Sequence, residues 1–321
     1  MVHHPNLDPE LRAALEKSPM PSFDLPNASP EQLAGLRAQI NAFMAAAPPA
    51  DTDVVIENRH VPGPDGAPDV RVRIYRPSGE EPDRPALYWI HGGGMIVGVP
   101  EVDDAQMISY VEELGVVAVS VDYRLAPENP HPAPVEDCYA GLAWTAKAAD
   151  ELGIDSARLA VGGASAGGGL AAATVLLARD RGGPEVAFQL LVCPMLDDRN
   201  TTSSSRAFAD AIVWDRASNL FGWTALLGDR VGGDDVPPYA APARATDLSG
   251  LPPAFIDVGE LEVFRDEDVD YALRLCQAGV STELHLYPGA FHGFDGVAPE
   301  AGLSRRARAA RLAALRRAYG L

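Results

Sequence analysis

Short apolar runs alternate with helical patterns through most of this 321-residue chain. That alternation leaves few architectures open. Strand patterns are read at 52–60 (TDVVIENRH), 69–76 (DVRVRIYR), 86–90 (ALYWI), 116–121 (VVAVSV), 158–162 (RLAVG), 187–192 (AFQLLV), 253–258 (PAFIDV) and 281–287 (STELHLY). The first two alternate and lie close together, as antiparallel edge strands do. The middle ones are continuously apolar, as in a parallel sheet covered on both faces. Helical patterns fall between them, at 103–114, 134–150, 165–179, 264–278 and 303–319. This order predicts an α/β fold: a mostly parallel, eight-stranded open sheet with right-handed crossovers and helices on both faces. Ligands of such sheets bind beyond the carboxyl ends of the strands.

Two segments break the alternation. Residues 1–48 carry two helical patterns, LDPELRAALEK and SPEQLAGLRAQINAFMAAA, ahead of the first strand. Residues 196–247 form a long insertion with a helical run near 215–228. Long insertions on the strand-end side commonly become lids. Both are expected to form one helical cap over a site in a single sheet domain, 49–321.

Charge and cysteine usage narrow the function classes. Asp and Glu number 45 against 26 Lys and Arg, a formal charge of -19. That surplus argues against nucleic acid, whose phosphates need cationic neutralisation, and against an anionic membrane surface. The three cysteines, Cys138, Cys193 and Cys276, form no CxxC pair, so they are expected to be buried, reduced thiols. The N-terminus lacks a basic stretch followed by an apolar run, and no uncharged apolar stretch of about 18 residues appears. A cytoplasmic location is the expectation. No HExxH or clustered Asp/His set is present, so no metal or cofactor is expected.

The sharpest motif is Gly163-Ala164-Ser165-Ala166-Gly167, between the strand RLAVG and the helical pattern AGGGLAAATVLLARD. A G-x-S-x-G sequence in strand–turn–helix context lifts a serine Oγ above the sheet, and the flanking glycines let the backbone pack tightly around it. A helix N-terminus behind the serine favours developing negative charge. Strand ALYWI ends directly in His91-Gly92-Gly93-Gly94. Three consecutive glycines are costly in conformational entropy. A backbone that turns N–H groups inward toward an oxyanion explains them, each donor contributing on the order of 3 kcal/mol.

A serine nucleophile needs a base and an acid. The seven histidines are His3, His4, His60, His91, His131, His285 and His292. His292, in the turn-rich stretch Tyr287-Pro288-Gly289-Ala290-Phe291-His292-Gly293-Phe294 after the last strand, is the expected general base. The acid should lie between serine and histidine in the chain, after the strand PAFIDV. Asp257, Glu260, Glu262 and Asp266 are the candidates. Asp257 falls within an apolar strand, where an unpaired carboxylate is expensive. Asp266 suits the first turn of the next helix.

HGGG at 91–94, Asp122-Tyr123-Arg124-Leu125-Ala126-Pro127-Glu128, GASAG at 163–167 and the His292-Gly293-Phe294 ending together carry a resemblance. From about residue 50 to 320 the chain resembles the bacterial hormone-sensitive-lipase-like (family IV) carboxylesterases, of the α/β-hydrolase superfamily. The resemblance implies an α/β-hydrolase fold and a serine carboxylesterase acting on short- to medium-chain acyl esters. It implies oxyanion donors at the N–H groups of Gly93, Gly94 and Ala166, and a structural His91 anchoring its loop. The family places an Asp just ahead of a Pro-Leu-Arg-Asp-Glu run. Matched onto Glu262-Val263-Phe264-Arg265-Asp266-Glu267, the acid becomes Glu262, one methylene longer, with Glu260 next. Ala164 stands where the family often has Asp, and Met95 where it often has an aromatic residue. Met95, Trp214, Phe208 and Phe221 are candidate substrate-pocket residues, although those in the insertion, with Trp223, equally suit the cap's own core. Arg124 is expected to hold its loop by pairing with Asp122 and Glu128. The six arginines within Ser304–Tyr319 are expected on an amphipathic helix docked on the acidic body. The family's habit of dimerising makes strand 281–287 a candidate homodimer edge. The same motifs would also serve a lactone, carbamate or amide hydrolase or an acyltransferase. A non-hydrolytic small-molecule receptor of this fold would lack Ser165 or His292.

Overall fold

The structure is a computed structural model that describes residues 4–17, 28–44, 52–79 and 81–321. Its centre is one eight-stranded sheet, ordered β1-β2-β4-β3-β5-β6-β7-β8. The strands are β1 (Val55–Val61), β2 (Val70–Arg76), β3 (Arg84–Ile90), β4 (Val117–Asp122), β5 (Ile154–Ala164), β6 (Phe188–Val192), β7 (Ala254–Gly259) and β8 (Thr282–Tyr287). β1 and β2 run antiparallel to their neighbours, and β3 to β8 are mutually parallel. Each expected strand is present within a few residues. The exception is β5, which begins four residues earlier than its apolar core because Ile154 pairs with Arg84 across an irregularity in the ladder.

The helices are α1 (Pro9–Lys17), α2 (Pro30–Met44), α3 (Asp104–Leu114), α4 (Ala133–Lys147), α5 (Ala149–Leu152), α6 (Ala166–Arg181), α7 (Ser203–Ala207), α8 (Arg216–Leu227), α9 (Arg265–Gln277), α10 (Phe294–Val297) and α11 (Gly302–Tyr319). The single helical pattern at 134–150 divides at Ala148 into α4 and α5. α8 starts where Asp215 accepts the Ser218 N–H at 2.8 Å, a side-chain cap on an otherwise unpaired donor. Of the expected N-terminal segment, residues 1–3, 18–27 and 45–48 lie outside the described residues. Among the described residues no helix is long and apolar enough to cross a membrane.

Period-two alternation buries both faces of the central strands. On β3, Ala86, Tyr88 and Ile90 join the cluster that includes Val161, Leu170 and Leu142 from the side of α4 and α6. Leu87 and Trp89 join Met107, Val111 and Leu315 from α3 and α11 on the other side. α6 is buried along nearly its whole length, from Ala166 to Ala178, which explains its lack of a polar face.

One ionic expectation needs correction. Arg124 does not hold Asp122 or Glu128. It grips the buried Asp137 through Nε and Nη2 at 2.8 and 2.7 Å, while Asp122 accepts from Arg71 and Glu128 from Arg37. The partner lies on α4, a helix away, which neighbouring residues in the sequence cannot reveal. The arginines of α11 do meet acidic partners on the body, Arg316 at Glu113 and Arg317 at Glu283, and one of them does so inside the core. Arg311 is 2% exposed. Its Nε donates to Asp257 Oδ2 at 2.6 Å and its Nη1 to Asp295 Oδ2. Asp257 is thus a paired strand carboxylate, and burial still pushes it up to about 6. The cysteine expectation holds for Cys138 and Cys193, but Cys276 is exposed.

Removing the guanidinium leaves Asp257 without its buried counter-charge. Arg311→Met is expected to lower unfolding free energy by about 3–5 kcal/mol, measured by urea denaturation. An unchanged midpoint would show that the pair contributes nothing.

Candidate active site

Strand register gathers the site at one rim of the sheet. Ile90 pairs with Gly163, Ala164 with Val192, Val192 with Asp257 and Gly259 with Tyr287. The segments that follow these residues therefore emerge side by side, and they carry His91, Ser165, Cys193, Glu262 and His292.

Ser165 occupies the sharp turn between β5 and α6 with φ 58° and ψ −122°, a strained conformation for a residue with a Cβ. It persists because the surrounding backbone holds it. The Ser165 N–H donates to Val192 O at 2.8 Å, and its carbonyl accepts from Met195 N at 2.9 Å and Gly169 N at 3.0 Å. Glycine is needed on both sides of the turn. A Cβ on Gly163 would lie 2.2 Å from Gly167 O, and one on Gly167 would lie 2.0 Å from Ile90 O. Ala166 opens α6, so its N–H has no acceptor within the helix.

The 91–98 loop wraps around this turn. A Cβ on Gly92 would stand 3.4 Å from Ser165 Cβ. Gly93 and Gly94 adopt φ values of 117° and 62°, and the Gly93 carbonyl accepts from Ile96 N and Val97 N at 3.0 and 2.9 Å. His91 is fully buried and stacks on Tyr123, with centroids 4.3 Å apart. Its Nδ1 lies 2.8 Å from Gly92 O, and Tyr123 Oη donates to His91 O at 3.0 Å. Burial lowers its pKa, so the ring stays neutral near pH 7 and serves to anchor the loop.

His292 Nε2 lies 3.0 Å from Ser165 Oγ. His292 Nδ1 lies 3.3 Å from Glu262 Oε2, a contact that is not aligned as a hydrogen bond. Such contacts often tighten only when substrate is bound. Phe264 meets the imidazole edge-on at 5.3 Å. Both partners are buried, Glu262 at 1% exposure and His292 at 6%.

The other acidic candidates are engaged elsewhere. Glu260 accepts from Asn6 Nδ2 at 3.0 Å and Gly289 N at 2.8 Å, clamping the N-terminal segment to the β8–α10 loop. Asp266 accepts from Ser204 N at 2.7 Å and Asp257 holds Arg311. Next along α9, Glu267 accepts from Leu196 N at 2.8 Å. Burial pushes it and Asp268 well above the usual carboxylate range.

The pocket candidates separate. Trp214 covers Gly94, whose Cβ position is 2.1 Å from the indole Cη2. Its Nε1 donates to Asn219 Oδ1 at 3.3 Å, and Asn219 Nδ2 donates to Asn200 Oδ1 at 3.2 Å. α8 follows the indole onto the loop, since a Cβ on Gly222 would lie 2.8 Å from Gly94 O. Met95 is buried with φ 67°, and Phe221 is half-buried against the core. Phe208 has other neighbours: the Arg265 guanidinium lies 5.5 Å from its ring centroid and His4 meets its edge. The sequence reading took Cys193 for a plain buried thiol, and its place beside Glu262 and His292 was not foreseen. Its Sγ, a Glu262 oxygen and a His292 ring nitrogen lie within 4.8 Å of one another. The only signal was its place immediately after β6, on the ligand rim.

Comparison with known proteins adds to this geometry. Residues 87–296 match a family described as alpha/beta hydrolase fold. The chain is 37% identical over 319 residues to the carboxylesterase NlhH of Mycobacterium tuberculosis, covering 99% of this chain and 98% of that protein. It is 33% identical over 296 residues to an arylesterase of Saccharolobus solfataricus, covering 90% and 92%. Among solved structures, a bacterial heroin esterase superposes with a TM-score of 0.92 at 46% identity, covering 98% of each chain. Esterase LipW from Mycobacterium marinum gives 0.86 at 38% identity, covering 98% and 96%.

The contact between Gly94 and Trp214 is directly testable. Gly94→Ala forces a left-handed alanine against the indole. It is expected to cost about 2–5 kcal/mol, with an altered near-ultraviolet dichroism as Trp214 moves. An unchanged aromatic signal would mean that the indole does not rest on Gly94.

Proposed function

The chain belongs to the alpha/beta hydrolase fold family as a hormone-sensitive-lipase-like carboxylic ester hydrolase, and from that premise we propose that it works through a Ser165-His292-Glu262 triad. The observation that carries this reading is the 3.0 Å contact between His292 Nε2 and Ser165 Oγ. In the first half-reaction Nε2 takes the Ser165 proton as Oγ attacks the ester carbonyl carbon. Glu262, at Nδ1, favours the tautomer that leaves Nε2 free to accept and stabilises the imidazolium that forms. The oxyanion is held by the N–H groups of Gly93, Gly94 and Ala166. His292 then protonates the departing alcohol. Water, deprotonated by the same imidazole, releases the acid and restores Ser165.

Residues 1–48 and 196–247 act in this reading as a cap over the 49–321 catalytic domain. Three contacts support it. Arg37 of α2 donates to Ile96 O at 2.6 Å. Asn41 Oδ1 accepts from Gly98 N at 2.8 Å. Gly222 of α8 abuts Gly94. Trp214, Met95 and Phe221 then bound the acyl or alcohol pocket, and Trp214 over Gly94 limits its depth. That restriction supports a preference for short- to medium-chain acyl groups.

The test is hydrolysis of aryl esters of increasing acyl length, with labelling by a serine-directed phosphonate. Ser165→Ala is expected to lower kcat by at least about 10⁴-fold and abolish labelling. Glu262→Gln should lose about 10⁴-fold and Glu260→Gln less than about tenfold. A Ser165→Ala protein that retains its rate would sink the mechanism. Equal losses at 260 and 262 would sink the choice of acid. Running the series with a competing alcohol separates hydrolysis from acyl transfer.

We also propose a homodimer through β8. Among the described residues β8 is the last strand of the sheet, and Leu284 and Leu286 on one of its faces stay 36% and 44% exposed, an arrangement that invites pairing. Light scattering should give twice the 34.0 kDa chain mass, falling to one chain mass for Leu286→Lys. A monomeric wild type would rule the dimer out.

A further inference from the structure

The proposed reaction uses Glu262 and His292 but leaves the thiol beside them without a task. Cys193 follows β6 in a left-handed conformation, φ 37°. Its N–H donates to Asp257 O at 2.7 Å, which fixes the residue against the end of β7. The thiol, one Glu262 oxygen and one His292 nitrogen form a closed triangle with no side above 4.8 Å, and all three residues are buried. Two polar atoms in this group, Glu262 Oε1 and His292 Nδ1, have no hydrogen-bond partner. A buried carboxylate and imidazole that each keep an unsatisfied polar atom beside a thiol form a donor set suited to a cation.

Geometry and donor chemistry both select the ion. Two ligands bound to tetrahedral zinc at about 2.0–2.1 Å lie about 3.3 Å apart. Glu262 Oε2 and His292 Nδ1 are already separated by 3.3 Å. A thiolate at about 2.3 Å from the same ion would sit about 3.6 Å from each of them. With no side of the triangle above 4.8 Å, the donors need to draw together by roughly an ångström at their widest. A thiolate, an imidazole and a carboxylate together suit Zn²⁺ and disfavour Mg²⁺ and Ca²⁺, which prefer all-oxygen shells.

We propose that Cys193, Glu262 and His292 form an inhibitory site for Zn²⁺, with water in the fourth position. Binding converts the Cys193 thiol to a thiolate, and its proton leaves to solvent. Coordination takes the Nδ1 lone pair, so the imidazole proton must sit on Nε2. That tautomer can donate to Ser165 Oγ but cannot accept its proton, and the nucleophile is left without a base. The site itself stands on the three side chains. Its inhibitory consequence rests on the triad reading above.

The full-length protein, stripped with EDTA and desalted, is titrated with Zn²⁺ while heat of binding and ester hydrolysis are followed. Co²⁺ serves as a spectroscopic substitute. The expected result is one Zn²⁺ per chain, inhibition reversed by EDTA, no inhibition by Mg²⁺ or Ca²⁺, and a thiolate-to-metal charge-transfer band with Co²⁺. Cys193→Ser and Cys193→Ala, each compared with its own zinc-free rate, should need at least about 100-fold more Zn²⁺ for the same inhibition and lose the band. The proposal is overturned if zinc inhibits both variants as strongly as wild type, or if the wild-type cobalt protein shows no thiolate band. Binding with the band but without inhibition overturns the inhibitory role. In that case a Ser165→Ala protein that stays active would place the error in the triad reading, and an inactive one would place it in the metal's effect.

Discussion

A methyl group on Gly167 would lie 2.0 Å from Ile90 O and 2.4 Å from His91 O. That close approach of two backbones is the constraint on which the site depends. It lets the turn after β5 press against the end of β3, so the 91–94 glycines and Ser165 share one small volume. The strain at Ser165 is held by hydrogen bonds from β6 and α6, and it points the hydroxyl at a histidine arriving from beyond β8. The loop glycines then serve two needs. Their positive φ values turn the loop, and their missing side chains admit Trp214 and α8.

Electrostatics set a second limit. The rim around Glu262 gathers several carboxylates in a small, dry region. Arg311 answers Asp257 and Asp295, backbone N–H groups answer Glu267, and burial raises the pKa of Asp268. These neighbouring negative charges are either paired or discouraged, as a low-dielectric interior requires. Glu262 faces His292 from within this group, and Cys193 closes the third side.

Much of this was legible in the residues. Continuous apolar runs marked β3 to β7 because a strand covered on both faces needs no polar side, and turn residues marked their ends. GASAG and HGGG could be read because their glycines answer local steric demands that few other sequences meet. The acid could not be picked from local sequence: Asp257, Glu260, Glu262 and Asp266 lie within ten residues, and each could have faced the histidine. What separates them is the turn after Gly259, which points Glu260 toward Asn6 and Gly289 and Glu262 toward His292. Arg311 was hidden among five other arginines because helical periodicity does not show which charge meets a buried strand carboxylate. Phe208 and Trp214 looked alike as aromatic residues of an insertion. Only folding sends one beneath Arg265 and the other onto Gly94.

By itself, then, the sequence determined the order of strands and helices, the place of the Ser165 turn and the glycine loop beside it. These are local consequences of hydrophobic period and backbone sterics, carried by residues adjacent in the chain. The tertiary structure decided which carboxylate meets the imidazole, which arginine is buried, which tryptophan covers the loop and that a thiol stands against Glu262 and His292. Those choices depend on groups dozens to hundreds of residues apart, brought to one rim by strand register, and no local pattern encodes a distance between them.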